Sequence, residues 1–143
     1  MFAIDLQNRC LTVVLALAAS ALALIGNASA EPYSHAPVTE YIRLPKFCWG
    51  QFNDQLQGEE FWFHNCGVGA NHYCEGLLNL QQSRKAKSPD QRKMMLISAK
   101  RDTQYTLTWL QREKVMETCS ITGHVEATMR EIDLQMQIYH IKQ

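Results

Sequence analysis

The stretch KSPDQ, residues 87–91, carries the pieces of a helix start in order. Ser88 offers a hydroxyl that accepts a hydrogen bond from an otherwise unpaired amide of the first turn. Pro89 has no amide hydrogen to leave unpaired and a preset φ, which suits the first helical position. Asp90 places negative charge at the positive end of the helix dipole, and Gln91 closes a capping box. A helix is therefore predicted from Pro89 to about Glu117, with apolar positions at Met95, Leu96, Ala99, Tyr105, Leu107, Trp109 and Leu110. The pattern turns polar near Arg112, where a break is expected.

Upstream, Ala70, Tyr73, Cys74, Leu77, Leu78 and Leu80 follow the three-and-four spacing of an amphipathic helix running from Val68 to about Lys87. A turn of about two residues at Ser88 leaves the two helices no course but antiparallel. Downstream, Ser120 to Gly123 reads as a connection, and Val125, Met129, Ile132, Met136 and Tyr139 mark the stripe of a third helix. The fold class is thus all-α: a small domain of three to four helices built on an antiparallel hairpin, closed by disulfides.

The N-terminus decides what the cysteines mean. An apolar run from about Leu11 to Ile25 is followed by Ala28-Ser29-Ala30, the small residues that signal peptidases cut after. Residues 1–30 are read as a signal peptide; retention of the run as a membrane anchor is the other use open to it. Residues 31–65 then form a proline-bearing lead-in and an aromatic-rich segment. Residues 66–143 form the hairpin and the C-terminal helix, sharing one domain with residues 46–65. Pro32, Pro37 and Pro45 are expected to keep the lead-in extended. Export would place the chain in a periplasmic or secreted setting.

Four cysteines follow the signal: Cys48, Cys66, Cys74 and Cys119. An even number in a small exported domain points to disulfides, and four thiols allow three pairings. Two residues eight apart on one helix have α carbons separated by roughly 12 Å, beyond the ~7 Å a disulfide spans. The antiparallel hairpin, in contrast, carries Cys119 back toward Cys66 and Cys74. The preferred pairing is Cys66 with Cys119 and Cys48 with Cys74.

The motif NHYCEGLLNLQQSRKA, with LISAKRDTQYTL after the turn, resembles exported bacterial proteins containing tetratricopeptide-like helical hairpins. The resemblance covers about residues 66–110. His72, Tyr73, Cys74, Gly76 and Leu77 take the positions of the first helix; Ala99, Asp102 and Tyr105 take those of the second. It implies a helical pair used as a protein-binding scaffold without chemistry of its own. No second 34-residue repeat follows, so the hairpin would be single and completed by the third helix.

Formal charge is balanced, with 14 Lys+Arg against 14 Asp+Glu. Nucleic-acid binding, which needs a surplus of cations, is disfavoured. The chain has no C-x-x-C, C-x-x-C-H, G-x-S-x-G or H-E-x-x-H motif, and the adjacent Glu59 and Glu60 point apart. Neither an enzyme nor a bound cofactor is expected. A metal site remains as an alternative, since His64, Cys66, His72 and Cys74 offer two nitrogen and two sulfur ligands.

The expected function is that of an exported, non-catalytic accessory or scaffold protein that binds an envelope partner or itself. Contact with a membrane is expected only through an uncleaved signal segment. The aromatic cluster from Phe47 to Phe63 is expected to lie over the core, with Trp49, Phe61 and Trp62 as candidates for a partner surface. Leu134, Ile138 and Ile141 fall off the main stripe of the last helix, and either widen the core or meet a second chain.

Overall fold

The computed structural model describes residues 36–142 apart from residue 57, all within one compact unit, Pro32–Gln143. The predicted signal peptide, its cleavage site and Cys10 lie outside the described residues. Among the described residues the architecture is all-α, without strands: α1 (Val38–Tyr41), α2 (Trp49–Phe52), α3 (His72–Lys85), α4 (Pro89–Arg112) and α5 (Thr122–Ile138). Short 3₁₀ turns at Lys46–Cys48, Glu59–Phe61 and Val68–Asn71 join them.

The turn at Ser88 forms as its side chains dictate. The Gln91 amide donates to Ser88 Oγ at 3.2 Å, and Gln91 Oε1 reaches back to the Lys87 amide at 3.1 Å. Arg92 closes the other side of the turn, donating to the Ser83 and Ala86 carbonyls at the end of α3 at 3.3 and 3.4 Å. Its guanidinium also lies over the Tyr139 ring, 4.5 Å from the centroid, which ties the end of α5 to the same turn.

The hairpin packs closely because small residues meet at its crossing. A Cβ on Gly76 would come within 2.5 Å of Thr103 Oγ1 and 3.2 Å of the Ala99 carbonyl, so only glycine lets α3 approach α4 this nearly. Near the start of α3, Gly69 lies flat under the Trp109 indole; its Cβ would sit 2.0 Å from that ring. Trp109 Nε1 donates to the Cys66 carbonyl at 3.2 Å, fixing the chain that enters α3. The third helix lies against this pair, and Tyr73 shares a buried 2.9 Å hydrogen bond with Thr128. Lys100 and Asp133 form an ion pair at 2.7 Å, and Arg84 pairs with Glu131.

Three apolar clusters run along the molecule. One at the closed end joins Ala70, Tyr73, Leu110, Ile121 and Val125. A second seats the N-terminal segment on the back of α3 through Tyr41, Leu44 and Leu78. The third, at the turn end, joins Leu80, Leu96, Ile132 and Met136. Two disulfides staple the first two clusters: Cys66–Cys119, with a Cα–Cα distance of 4.5 Å, and Cys48–Cys74, at 5.5 Å. This is the pairing the antiparallel hairpin favoured. It is compatible with an oxidising compartment.

Two local expectations are corrected. The lead-in is not extended throughout, because Pro37 directly precedes the one-turn helix α1 and leaves the amides after it free to pair. Helix α4 ends at Arg112, at the break expected where the pattern turns polar: the Lys114 amide bonds the Gln111 carbonyl and the Val115 amide bonds the Leu110 carbonyl, a Schellman closure. Tyr105 and Tyr139, expected on core stripes, are each 46% exposed. Both rings lie at the edges of their stripes, beside His72 and Arg92.

Candidate interaction surfaces

The tetrahedral metal set offered by the sequence is not assembled. Cys66 and Cys74 are bonded to different partners, Cys119 and Cys48, and a disulfide sulfur has no thiolate to give. His64 is exposed, with Nε2 3.2 Å from the Glu59 carbonyl. The His72 ring packs on Tyr105 at 4.1 Å between centroids. Among the described residues no group of three or more His, Cys, Asp and Glu side chains is placed to hold a metal ion.

The aromatic segment is largely a cover for the core. Trp49 donates from Nε1 to the Leu44 carbonyl at 2.9 Å and stacks on Phe61 at 5.9 Å, and both rings are half-buried. Trp49 packs against the cluster of Cys48 and Cys74, whose disulfide draws residues 48–52 onto α3, and Phe61 lies on Trp49. Trp49 and Phe61 thus each keep only part of their surface in water. Trp62 keeps 38% of its surface, with its ring laid across Gly50, where a Cβ would be only 2.6 Å away.

The three residues off the stripe of the last helix divide. Ile141 is partly buried: its amide donates to the Met136 carbonyl at 2.9 Å in a second Schellman closure, with His140 at φ 52°. That turn folds its side chain back onto the Leu80–Ile132–Met136 cluster. Leu134 and Ile138, one helical turn apart, stay 56% and 60% exposed. On the same helix Val125, Met129, Ile132 and Met136 are buried, so α5 carries apolar side chains on two sides.

Electrostatics adds little that could drive chemistry. Burial pushes the Tyr73 phenol up to about 12, partly offset by its hydrogen bond to Thr128. The hydrogen bond from Lys85 holds the Glu40 carboxyl below its usual range. The hydrogen bond from Arg101 Nε to Asp102, at 2.9 Å, raises that guanidinium further. A depression of about 210 Å³ beside Lys100, Asp133, Met136, Gln137 and Ile141 has its one charged pair satisfied internally.

Sequence reasoning missed both Schellman closures, since Lys114 and His140 stand where glycine is the usual signal. It also missed Arg92, whose position in the first turn of α4 gave no hint that it would bridge to Tyr139. No family model, curated protein or solved structure matches the chain.

Proposed function

We propose that the chain is an exported, non-catalytic helical scaffold of the cell envelope that binds a partner protein, or a second copy of itself, through the outward face of α5. The observation that carries this reading is the pair Leu134 and Ile138, exposed one turn apart on a helix that already buries a complete stripe elsewhere. Apolar groups so placed gain by being covered, at about 25 cal/mol for each Å² removed from water.

Other features support the reading. The two disulfides fit an oxidising compartment, and the apolar run ending in Ala28-Ser29-Ala30 fits export. The cysteines are bonded and the Tyr73 phenol is buried, so these groups serve the fold. The resemblance of residues 66–110 to tetratricopeptide-like hairpins points the same way, and Gly76 and Ala99 meet at the helix crossing as a close hairpin requires.

The test is chemical crosslinking of the exported protein followed by light scattering, for the native chain and for Leu134→Lys with Ile138→Lys. A partner or dimer should be recovered with the native chain and weakened at least about tenfold in the variant, equivalent to about 1.4 kcal/mol. Melting should be unchanged, because both positions face solvent. A native chain that is strictly monomeric, and whose crosslinks survive the double substitution, would sink the proposal.

A further inference from the structure

Formal neutrality hides a strong separation of charge along the bundle. The antiparallel hairpin puts the end of α3, the Ser88 turn, the start of α4 and the end of α5 together, as the contacts of Arg92 with Ser83, Ala86 and Tyr139 require. The segments gathered there, residues 84–93 and 136–142, contain Arg84, Lys85, Lys87, Arg92, Lys93 and Lys142 against a single acid, Asp90. At the opposite end, residues 58–71 and 113–121 are tied by the Cys66–Cys119 bond and by two hydrogen bonds between His64 and Ser120. These segments hold Glu59, Glu60, Glu113 and Glu117 against Lys114, with Glu113 paired to the adjoining Arg112.

Three of the cations at the turn end are uncommitted. Arg84 pairs with Glu131, Lys85 with Glu40, and Arg92 lies on Tyr139 and two carbonyls. Lys87, Lys93 and Lys142 are exposed and have no acidic partner among the described residues. Beside them Met94 is 64% exposed and the Tyr139 ring is half in water. Cations on flexible stems next to an apolar side chain and an amphipathic ring are the composition that settles into a lipid headgroup layer.

We propose that the turn end of the hairpin is a docking face for an anionic phospholipid surface, separate from the protein-binding face of α5. A lipid surface fits better than an acidic protein because the exposed Met94 side chain and the half-exposed Tyr139 ring lie in the same segments as the cations, and a headgroup layer takes up both kinds of group. Lysines act as point charges that need no matched fork of acceptors. A broad anionic plane asks only for proximity. The acidic opposite end is repelled by the same plane, so the molecule would stand with its long axis away from the membrane.

The experiment is cosedimentation of the full chain at low salt with vesicles of phosphatidylcholine alone and of phosphatidylcholine with about a third phosphatidylglycerol. The readout is the difference between the two, because the apolar run of residues 11–25 carries no charge to distinguish them. The expected result is a preference for anionic vesicles of on the order of a hundredfold, abolished by raised salt. Each of Lys87→Gln, Lys93→Gln and Lys142→Gln should lower it about fivefold, with helical circular dichroism unchanged. Glu59→Gln with Glu60→Gln should leave the preference intact, and amide exchange should slow at residues 86–94 on anionic vesicles alone. Equal binding to both vesicles, full binding by the triple lysine variant, or protection centred on residues 58–71 would overturn the proposal. So would an acidic protein captured through these lysines in the absence of any vesicle preference.

Discussion

At the scale of the residue, several side chains stand in conformations that their chemistry does not favour. Lys114 sits at φ 57° after the end of α4, where a Cβ costs about 1 kcal/mol. Lys114→Gly should therefore raise stability by about 0.5–1 kcal/mol, read as a shift of the urea midpoint at constant slope. Tyr73 makes a pH-dependent contribution. Its phenol is held up to about 12 in the folded chain against about 10 unfolded, so the stability it contributes is complete below pH 10. That contribution, about 2–3 kcal/mol, is lost as pH rises from about 10 to 12. Tyr73→Phe should flatten this alkaline fall while costing about 1 kcal/mol at neutral pH through the bond lost to Thr128. Denaturation followed across that range by circular dichroism would decide it; an identical alkaline fall in the variant would be the contrary result.

At the scale of the element, a helix boundary was legible in detail where a side chain does the capping, and only as a loss of apolar pattern where the backbone does. The start of α4 could be read from Ser88, Pro89 and Gln91 because each acts on amides within its own turn. Its end depends on backbone bonds to Lys114 and Val115, which leave little mark on the sequence. Helix crossings show the same division. A Cβ on Gly76 would meet Thr103 Oγ1 of a different helix at 2.5 Å, whereas one on Gly123 in the first turn of α5 would meet nothing within 4 Å. Gly76→Ala should destabilise by about 1–3 kcal/mol through overpacking against Thr103. Gly123→Ala should stabilise by about 0.5–1 kcal/mol through helix propensity alone. Thermal melts of the two variants should thus move in opposite directions; a shared direction would mean that the crossing relaxes more readily than its packing implies.

At the scale of the whole molecule, the two disulfides do different work. Cys66–Cys119 closes a separation of 53 residues and joins the entry to α3 with the exit from α4; Cys48–Cys74 closes 26 and holds the aromatic cover on the back of α3. Loop-closure entropy assigns them about 4 and about 3.5 kcal/mol. Replacing Cys48 and Cys74 by Ala should free the 36–63 segment to exchange amide protons quickly while α3, α4 and α5 stay protected. Replacing Cys66 and Cys119 should lower the melting temperature of the whole domain, because that bond spans the core cluster of Leu110, Ile121 and Val125. Hydrogen exchange by mass spectrometry separates the two outcomes.

What the sequence determined by itself was local or periodic. The capped start at Ser88, the apolar spacing of three helices and the short turn between two of them rest on contacts within a few residues, and they sufficed for an all-α hairpin and for the cysteine pairing it implies. What only the tertiary structure decided was which side of each residue meets another element. It half-buried Ile141, Trp49 and Phe61, left Leu134 and Ile138 in water, and divided His64, Cys66, His72 and Cys74 among unrelated contacts. It also drew the segment that carries Lys142 to the end that holds Lys87 and Lys93, through the contact of Arg92 with Tyr139. The physical reason is that burial and charge proximity depend on distances between elements, and helical periodicity gives the phase of each helix but not its neighbours.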